Sequence, residues 1–256
     1  MRLAAAAAAL LAAALAAPGS ADPADLGLHA VGRIDIGGGY CSGALVSPTL
    51  VLTAAHCVHH KGRRAAVDVD AMTFRAGYSH GTAVEERRVR RMVVHPDYAP
   101  SARPTAASVA ADLALLELAH AIEPHLVPPF AAAGRLDRGD RVRLVSYARA
   151  RDEYPTFEDS CHVVDRDARI LALDCDVTFG ASGAPVFAQT PDGLRIASVI
   201  SSGGDVNGRH LAFAATVETG LARLMREFGR PPRRGAAAKS VRPGERNTGT
   251  IRFVRP

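Results

Sequence analysis

The sequence predicts an all-β domain closed by one C-terminal helix. Between about Gly27 and Val217 the chain runs in short apolar stretches broken by Gly, Pro, Asp and Ser, the spacing of a β-barrel or sandwich. From Val217 the period changes: in "VETGLARLMREFG" the residues Leu221, Leu224, Met225 and Phe228 fall on one helical face. The 256 residues are 48% hydrophobic and 22% charged, a globular composition long enough to bury a core.

Taken in order, "MRLAAAAAALLAAALAAPGSADPAD" puts one Arg before an apolar run and then Pro-Gly-Ser-Ala. This is the pattern of a secretory signal peptide, residues 1–21, cut near Ala17 or Ala21. A membrane anchor is the rival, but Leu3–Ala17 is shorter than the roughly 20 residues a span needs. Residues 22–29 form a short segment or propeptide ahead of a domain at 30–228. Export to periplasm or medium is therefore expected. "ALVSPTLVLTAAH" reads as strand, turn at Ser47-Pro48, strand. "DLALLELA", "RVRLVSYA", "APVF", "RIASVISS" and "LAFAATV" begin further strands.

After the helix, residues 229–256 turn Pro-, Gly- and Arg-rich with no periodicity and read as a basic disordered tail. The chain carries a net charge of +5. Arg230, Arg233, Arg234, Lys239, Arg242, Arg246, Arg252 and Arg255 lie in the tail against one acid, Glu245, so the body is net acidic. No nucleic-acid partner is expected for it. The tail reads as solvated, with contact to anionic surfaces as the sharper alternative.

Four cysteines are present: Cys41, Cys57, Cys161 and Cys175. An even count in an exported chain predicts two disulfides. Nearest-neighbour pairing gives Cys41–Cys57 and Cys161–Cys175, with three connectivities open. Zinc would need close pairs such as C-x-x-C, and neither these nor HExxH occurs, so no metal is expected. Of the other histidines, His59 and His60 read as exposed loop residues and His95, before Pro96, as a turn residue.

"LTAAHCVHH" sets His56 directly before Cys57. A catalytic base needs a fixed ring, a nucleophile beside it and an acid behind it. If Cys57 is bridged to Cys41, the backbone at His56 is held before any substrate arrives. In "FGASGAPVF", Ser182 lies between Gly180 and Gly183, where small residues permit a sharp turn and a close carbonyl approach. The N–H groups of Gly180 and Ser182 would converge there on an oxyanion. Asp112 heads the apolar run "DLALLEL", placed to face the His ring or simply to cap a turn. The order His56, Asp112, Ser182 is not that of an α/β-hydrolase, and Ala184 breaks the G-x-S-x-G elbow.

These segments resemble the chymotrypsin/trypsin-like serine peptidases. "CSGALVSPTLVLTAAHC" is similar to their histidine segment, and "HPDY" followed by "DLALLEL" to their aspartate segment. "GASGAPVF" resembles their serine loop, "SVISSGG" their pocket strand, and "FAATV" plus a helix their ending. The resemblance runs from about Ala30 to Phe228. It implies two perpendicular six-stranded β-barrels with the site in the cleft and a Cys41–Cys57 bridge. It also implies a His56, Asp112, Ser182 triad that cuts peptide bonds in protein or peptide substrates, through an acyl-enzyme and without metal or organic cofactor. A monomer is expected. A catalytically silent binding module is the alternative.

The departures bear on activation and specificity. Animal digestive members carry an Asp before the catalytic Ser that pairs with a new N-terminus; here it is Ala181, and "HAVGRID" lacks a basic residue before Ala30. The similarity is therefore greater to bacterial secreted members, including the glutamyl-endopeptidase-like group. Asp176, six residues before Ser182, stands where trypsin-like enzymes place their pocket floor. Cys175 beside it puts the loop register in question, and a turn cap next to the Cys161–Cys175 bridge is the rival role. Ser201, Ser202 and Gly203 are the candidate pocket-strand residues, and Ile200 stands where a glutamyl-specific member can carry a His.

Overall fold

A computed structural model describes residues 27–60, 65–101 and 103–230. The expected signal peptide and nearly all of the basic tail lie outside the described residues.

Twelve strands close into two antiparallel six-stranded barrels. The first uses β1 (Val31–Ile36), β2 (Tyr40–Ser47), β3 (Leu50–Thr53), β4 (Met72–Ala76), β5 (Glu85–Val94) and β6 (Ala114–Leu118), in the order β1-β2-β3-β6-β5-β4. The second uses β7 (Arg141–Ala148), β8 (Arg151–Asp167), β9 (Ile170–Leu173), β10 (Pro185–Thr190), β11 (Gly193–Val206) and β12 (Arg209–Thr216), in the order β10-β11-β12-β9-β8-β7. Closure removes the open strand edges that an isolated sheet would present. Between Ser47 and Leu50 the expected turn forms at Pro48-Thr49, one residue later than read from sequence.

Each barrel has its own apolar filling. Ile34, Leu45, Val51, Phe74 and Leu116 fill the first, and Val142, Leu144, Leu171, Val186 and Ile200 the second. A third cluster, with Leu52, Leu115, Tyr147, Phe187 and Val199, joins the two. Burying such side chains contributes roughly 1.5–3 kcal/mol each.

The helix α2 (Val217–Phe228) follows β12 and lays Leu224 into the joining cluster. Gly220 lets it approach closely, since a Cβ there would overlap the Leu113 side chain. Of the apolar residues on that helical face, Leu224 is fully buried while Met225 is exposed, so the buried part is narrower than the face itself. Leu113 directly follows Asp112, so the helix presses on the segment that carries the candidate acid. A short helix, α1 (Ala106–Ala110), precedes Asp112 and is opened by a Thr105/Ser108 capping box.

Candidate active site

His56 lies in a short 3-10 turn, Ala55–Val58, directly after β3. Cys41 of β2 is bonded to Cys57, so this turn is pinned to the neighbouring strand. The nearest-neighbour pairing holds for Cys161–Cys175 as well.

Asp112 lies between α1 and β6 and is only 3% exposed. A buried carboxylate is costly unless its oxygens are satisfied. Here Oδ1 accepts the backbone N–H of His56 at 2.8 Å, and Oδ2 lies 2.6 Å from His56 Nδ1. The Ser201 hydroxyl donates to the same Oδ2 at 2.6 Å. Two contacts to one residue fix both the position and the ring plane of His56, and Nε2, on the far side of the ring from Asp112, lies 4.0 Å from Cys57 Sγ.

Ser201 reaches Asp112 because of a bulge. The ladder between β11 and β12 pairs Ile200 with Ala214 and Ser202 with Phe213, so Ser201 is the extra residue. A bulge re-aims the side chain it carries, here into the interface with the first barrel. Beyond it, Ser202 and Gly203 pair with β12 and, among the described residues, with no other strand, because the β10–β11 ladder stops at Val199. That leaves one side of this segment open to an extended peptide.

Ser182 sits in the loop before β10, with Gly180 and Gly183 both at positive φ, 94° and 79°. Gly183 must be glycine on a second ground, since a Cβ would overlap Thr53 Oγ1 and the Ser42 carbonyl. The loop therefore docks tightly on β2 and β3, and Ser42 N–H donates to Ser182 O at 2.8 Å. Among the described residues the N–H groups of Gly180 and Ser182 donate to no protein acceptor. Nor does a hydrogen bond join the Ser182 hydroxyl to His56 in this state; such contacts are often long before substrate binds.

Asp176 is exposed, and its N–H donates to both oxygens of Glu158 at 3.0 and 3.1 Å. Burial pushes the Glu158 carboxyl above its ordinary range, and the nearby Asp176 and Asp174 add to this. Val177, next in sequence, is buried beside Gly203: a Cβ on Gly203 would lie 3.0 Å from Val177 Cγ2 and 3.1 Å from His210 Nε2. Val177 and His210 thus close in on the bare Gly203 backbone more tightly than a side chain there would allow. A cavity of about 340 Å³ lies between α1 and the β8–β9 hairpin, lined by Val109, Arg166, Ile170 and Phe213. Phe213 is also the β12 partner of Ser202.

One of the remaining histidines differs from expectation. His59 is half-buried, with Nδ1 2.9 Å from Ala55 O and its ring against Tyr98. His95 does serve the turn, its Nδ1 accepting the Asp97 N–H at 3.3 Å, but it is buried, and burial lowers its pKa. Residues that sequence reasoning passed over include Ser42, Glu158, Val177 and His210. Only their contacts across strands single them out.

Comparison with known proteins agrees with this architecture. The family model described as "Trypsin-like peptidase domain" matches residues 41–193. A modular serine protease of Drosophila melanogaster is 37% identical over 95 residues, 33% of this chain and 15% of that protein. Transmembrane protease serine 7 of Homo sapiens is 28% identical over 209 residues, 77% of this chain and 23% of that protein. The chain thus spans less than a quarter of the length of these curated relatives. Among solved structures, a Glu endopeptidase in complex with MPD superposes with a TM-score of 0.66 at 16% identity, covering 82% of this chain and 94% of that one. A thermostable serine protease, AL20, from an extremophilic microorganism gives 0.62 at 17% identity, covering 78% and 97%. With the family match extending over more than half of its length, the chain belongs to the trypsin-like peptidase domain family.

Proposed function

We propose that the protein is an exported serine endopeptidase that hydrolyses peptide bonds through Ser182, His56 and Asp112. The observation that carries this reading is the arrangement around His56. Its backbone and ring are both held by Asp112, whose remaining demand is met by Ser201, in a chain of peptidase family.

In the proposed mechanism Ser182 Oγ attacks the carbonyl carbon of the scissile bond while His56 Nε2 takes the hydroxyl proton. Asp112 keeps the other ring nitrogen protonated and stabilises the imidazolium. The tetrahedral oxyanion accepts from the N–H groups of Gly180 and Ser182, each worth about 2.7–4 kcal/mol in such sites. His56 then gives its proton to the departing amine, leaving an acyl ester on Ser182. Water, deprotonated by His56, hydrolyses that ester and restores the serine.

The substrate backbone would pair with the open segment at Ser202 and Gly203. Asp176, Ser201, Ser202 and Gly203 are the candidate specificity elements. The two disulfides support an oxidising compartment. The reading also places a peptidase domain at residues 30–228, after a signal peptide at 1–21 and a segment at 22–29, acting as a monomer. The basic tail at 229–256 is assigned to solvent or to anionic surfaces.

The test compares the exported chain with its Ser182→Ala variant on a mixed peptide library read by mass spectrometry. Cleavage by the first alone supports the serine mechanism. Cuts after Arg or Lys would assign Asp176 to recognition, and cuts after small or apolar residues would make it structural. No cleavage by a folded parent protein would overturn the reading and favour a binding module.

A further inference from the structure

We propose that Ser42 is the positioning residue of the oxyanion loop, a neutral clamp on a loop whose residue 181 carries no charge. This inference rests on the peptidase reading above.

Ala181 is fully buried and packs with apolar residues of the second barrel, among them Val142, Leu144 and Val186. It offers no carboxylate to anchor the loop. Gly180 makes anchoring necessary, because at φ 94° and without a side chain its peptide can rotate at little cost. Yet four successive carbonyls are each tied to a donor. Phe179 O accepts from Arg149 N–H at 2.6 Å, Gly180 O from the Ser42 hydroxyl at 3.0 Å, Ala181 O from Ala184 N–H at 2.9 Å and Ser182 O from Ser42 N–H at 2.8 Å.

A planar trans peptide points its N–H opposite to its C=O. Tying Phe179 O therefore aims Gly180 N–H, and tying Ala181 O aims Ser182 N–H. The peptide between those two is the one that the Ser42 hydroxyl holds. The proton on that hydroxyl has one place to go. Ser42 Oγ also accepts Tyr147 N–H at 2.9 Å, so its own hydrogen is left for Gly180 O. The Ser42 side chain is fully buried, and so is its bond to the Tyr147 N–H, where low dielectric strengthens it. Ser42 is also fixed from behind, its carbonyl accepting from Thr53 Oγ1 at 2.8 Å. One residue of the first barrel thus touches the loop at two carbonyls and sets the peptide between the two oxyanion donors.

The experiment measures kcat and KM on a chromogenic peptide anilide, chosen from the observed cuts, for the parent protein and for Ser42→Ala, Ser42→Gly and Ser42→Thr. Affinity for a peptidyl trifluoromethyl ketone, which forms an oxyanion on the serine, is measured in parallel. Loss of one such donor costs about 10²–10³ in kcat, and misalignment should cost less. Ser42→Ala and Ser42→Gly are expected to lower kcat about 10- to 100-fold, with KM within about twofold. Ketone affinity should fall in step, and Ser42→Thr should recover most of both. A folded Ser42→Ala protein with kcat within about twofold of the parent would overturn the inference. So would failure of both the Ala and Gly variants to fold, since the hydroxyl would then serve folding. Failure of the parent protein to cleave and to react with a fluorophosphonate at Ser182 would sink the peptidase reading itself, and this inference with it.

Discussion

The Ser201 hydroxyl donates to Asp112 Oδ2 at 2.6 Å across a separation of 89 residues, joining the bulge of β11 to the segment before β6. The same oxygen lies 2.6 Å from His56 Nδ1, so one buried carboxylate couples the two barrels. Replacing Ser201 by Ala deletes a hydrogen bond to a charged group, worth about 1.5–3 kcal/mol. Urea unfolding should show a loss of that size, and kcat should fall about tenfold as the acid loosens.

Asp112→Asn keeps an oxygen for the His56 N–H but turns an amide toward the ring, favouring the wrong tautomer. A drop of about 10⁴ in kcat is expected with little change in the melting temperature. Steady-state kinetics and a thermal melt together check this. A drop below tenfold would count against the proposed role.

The two disulfides should separate by their kinetic effect. Loops of this size contribute about 3 kcal/mol each. Cys41→Ser/Cys57→Ser frees the turn that bears His56, so stability and kcat should both fall. Cys161→Ser/Cys175→Ser frees the segment next to Asp176, so stability should fall while the change in turnover appears mainly in KM. Thermal melts with full kinetics of both double variants distinguish them.

Gly183→Ala is expected to yield no folded protein, because the added methyl overlaps Thr53 Oγ1 and the Ser42 carbonyl while φ stays positive. Circular dichroism and gel filtration of the purified variant suffice to test it.

Glu158 supplies a pH test. Its carboxyl is raised by burial first and by Asp176 and Asp174 next, although the Asp176 N–H lowers it. In the window between its ordinary value and the raised one, the folded state holds more protons than the unfolded state. Stability therefore falls as pH rises through that window. Glu158→Gln cannot ionise, so its stability should decline less over the same range. Denaturation midpoints from pH 4 to pH 7 measure the difference.

The parts of the fold visible in sequence are those whose pattern is local. "RVRLVSYA" coincides with β7, and the helix begins at Val217 as its period implies. By contrast, β5 ("EERRVRRMVV") and β8 ("RDEYPTFEDSCHVVDRD") carry so much charge that no apolar run spans them, and barrel pairing makes them strands. The site divides in the same way. His56 and Ser182 stand in distinctive local contexts, whereas the role of Ser201 depends on a two-against-one register between strands. Ser42 is less legible still, since its partners lie 105 and 138 residues away.

The bond from Ser42 N–H to Ser182 O has a practical corollary. The proposed nucleophile belongs to one barrel, and the residue that holds its carbonyl belongs to the other. A small slip between two intact barrels would leave circular dichroism unchanged yet move Ser182 and His56 apart. Turnover should accordingly fade at a lower temperature or urea concentration than secondary structure, making the reaction rate a strain sensor for the seam between the barrels.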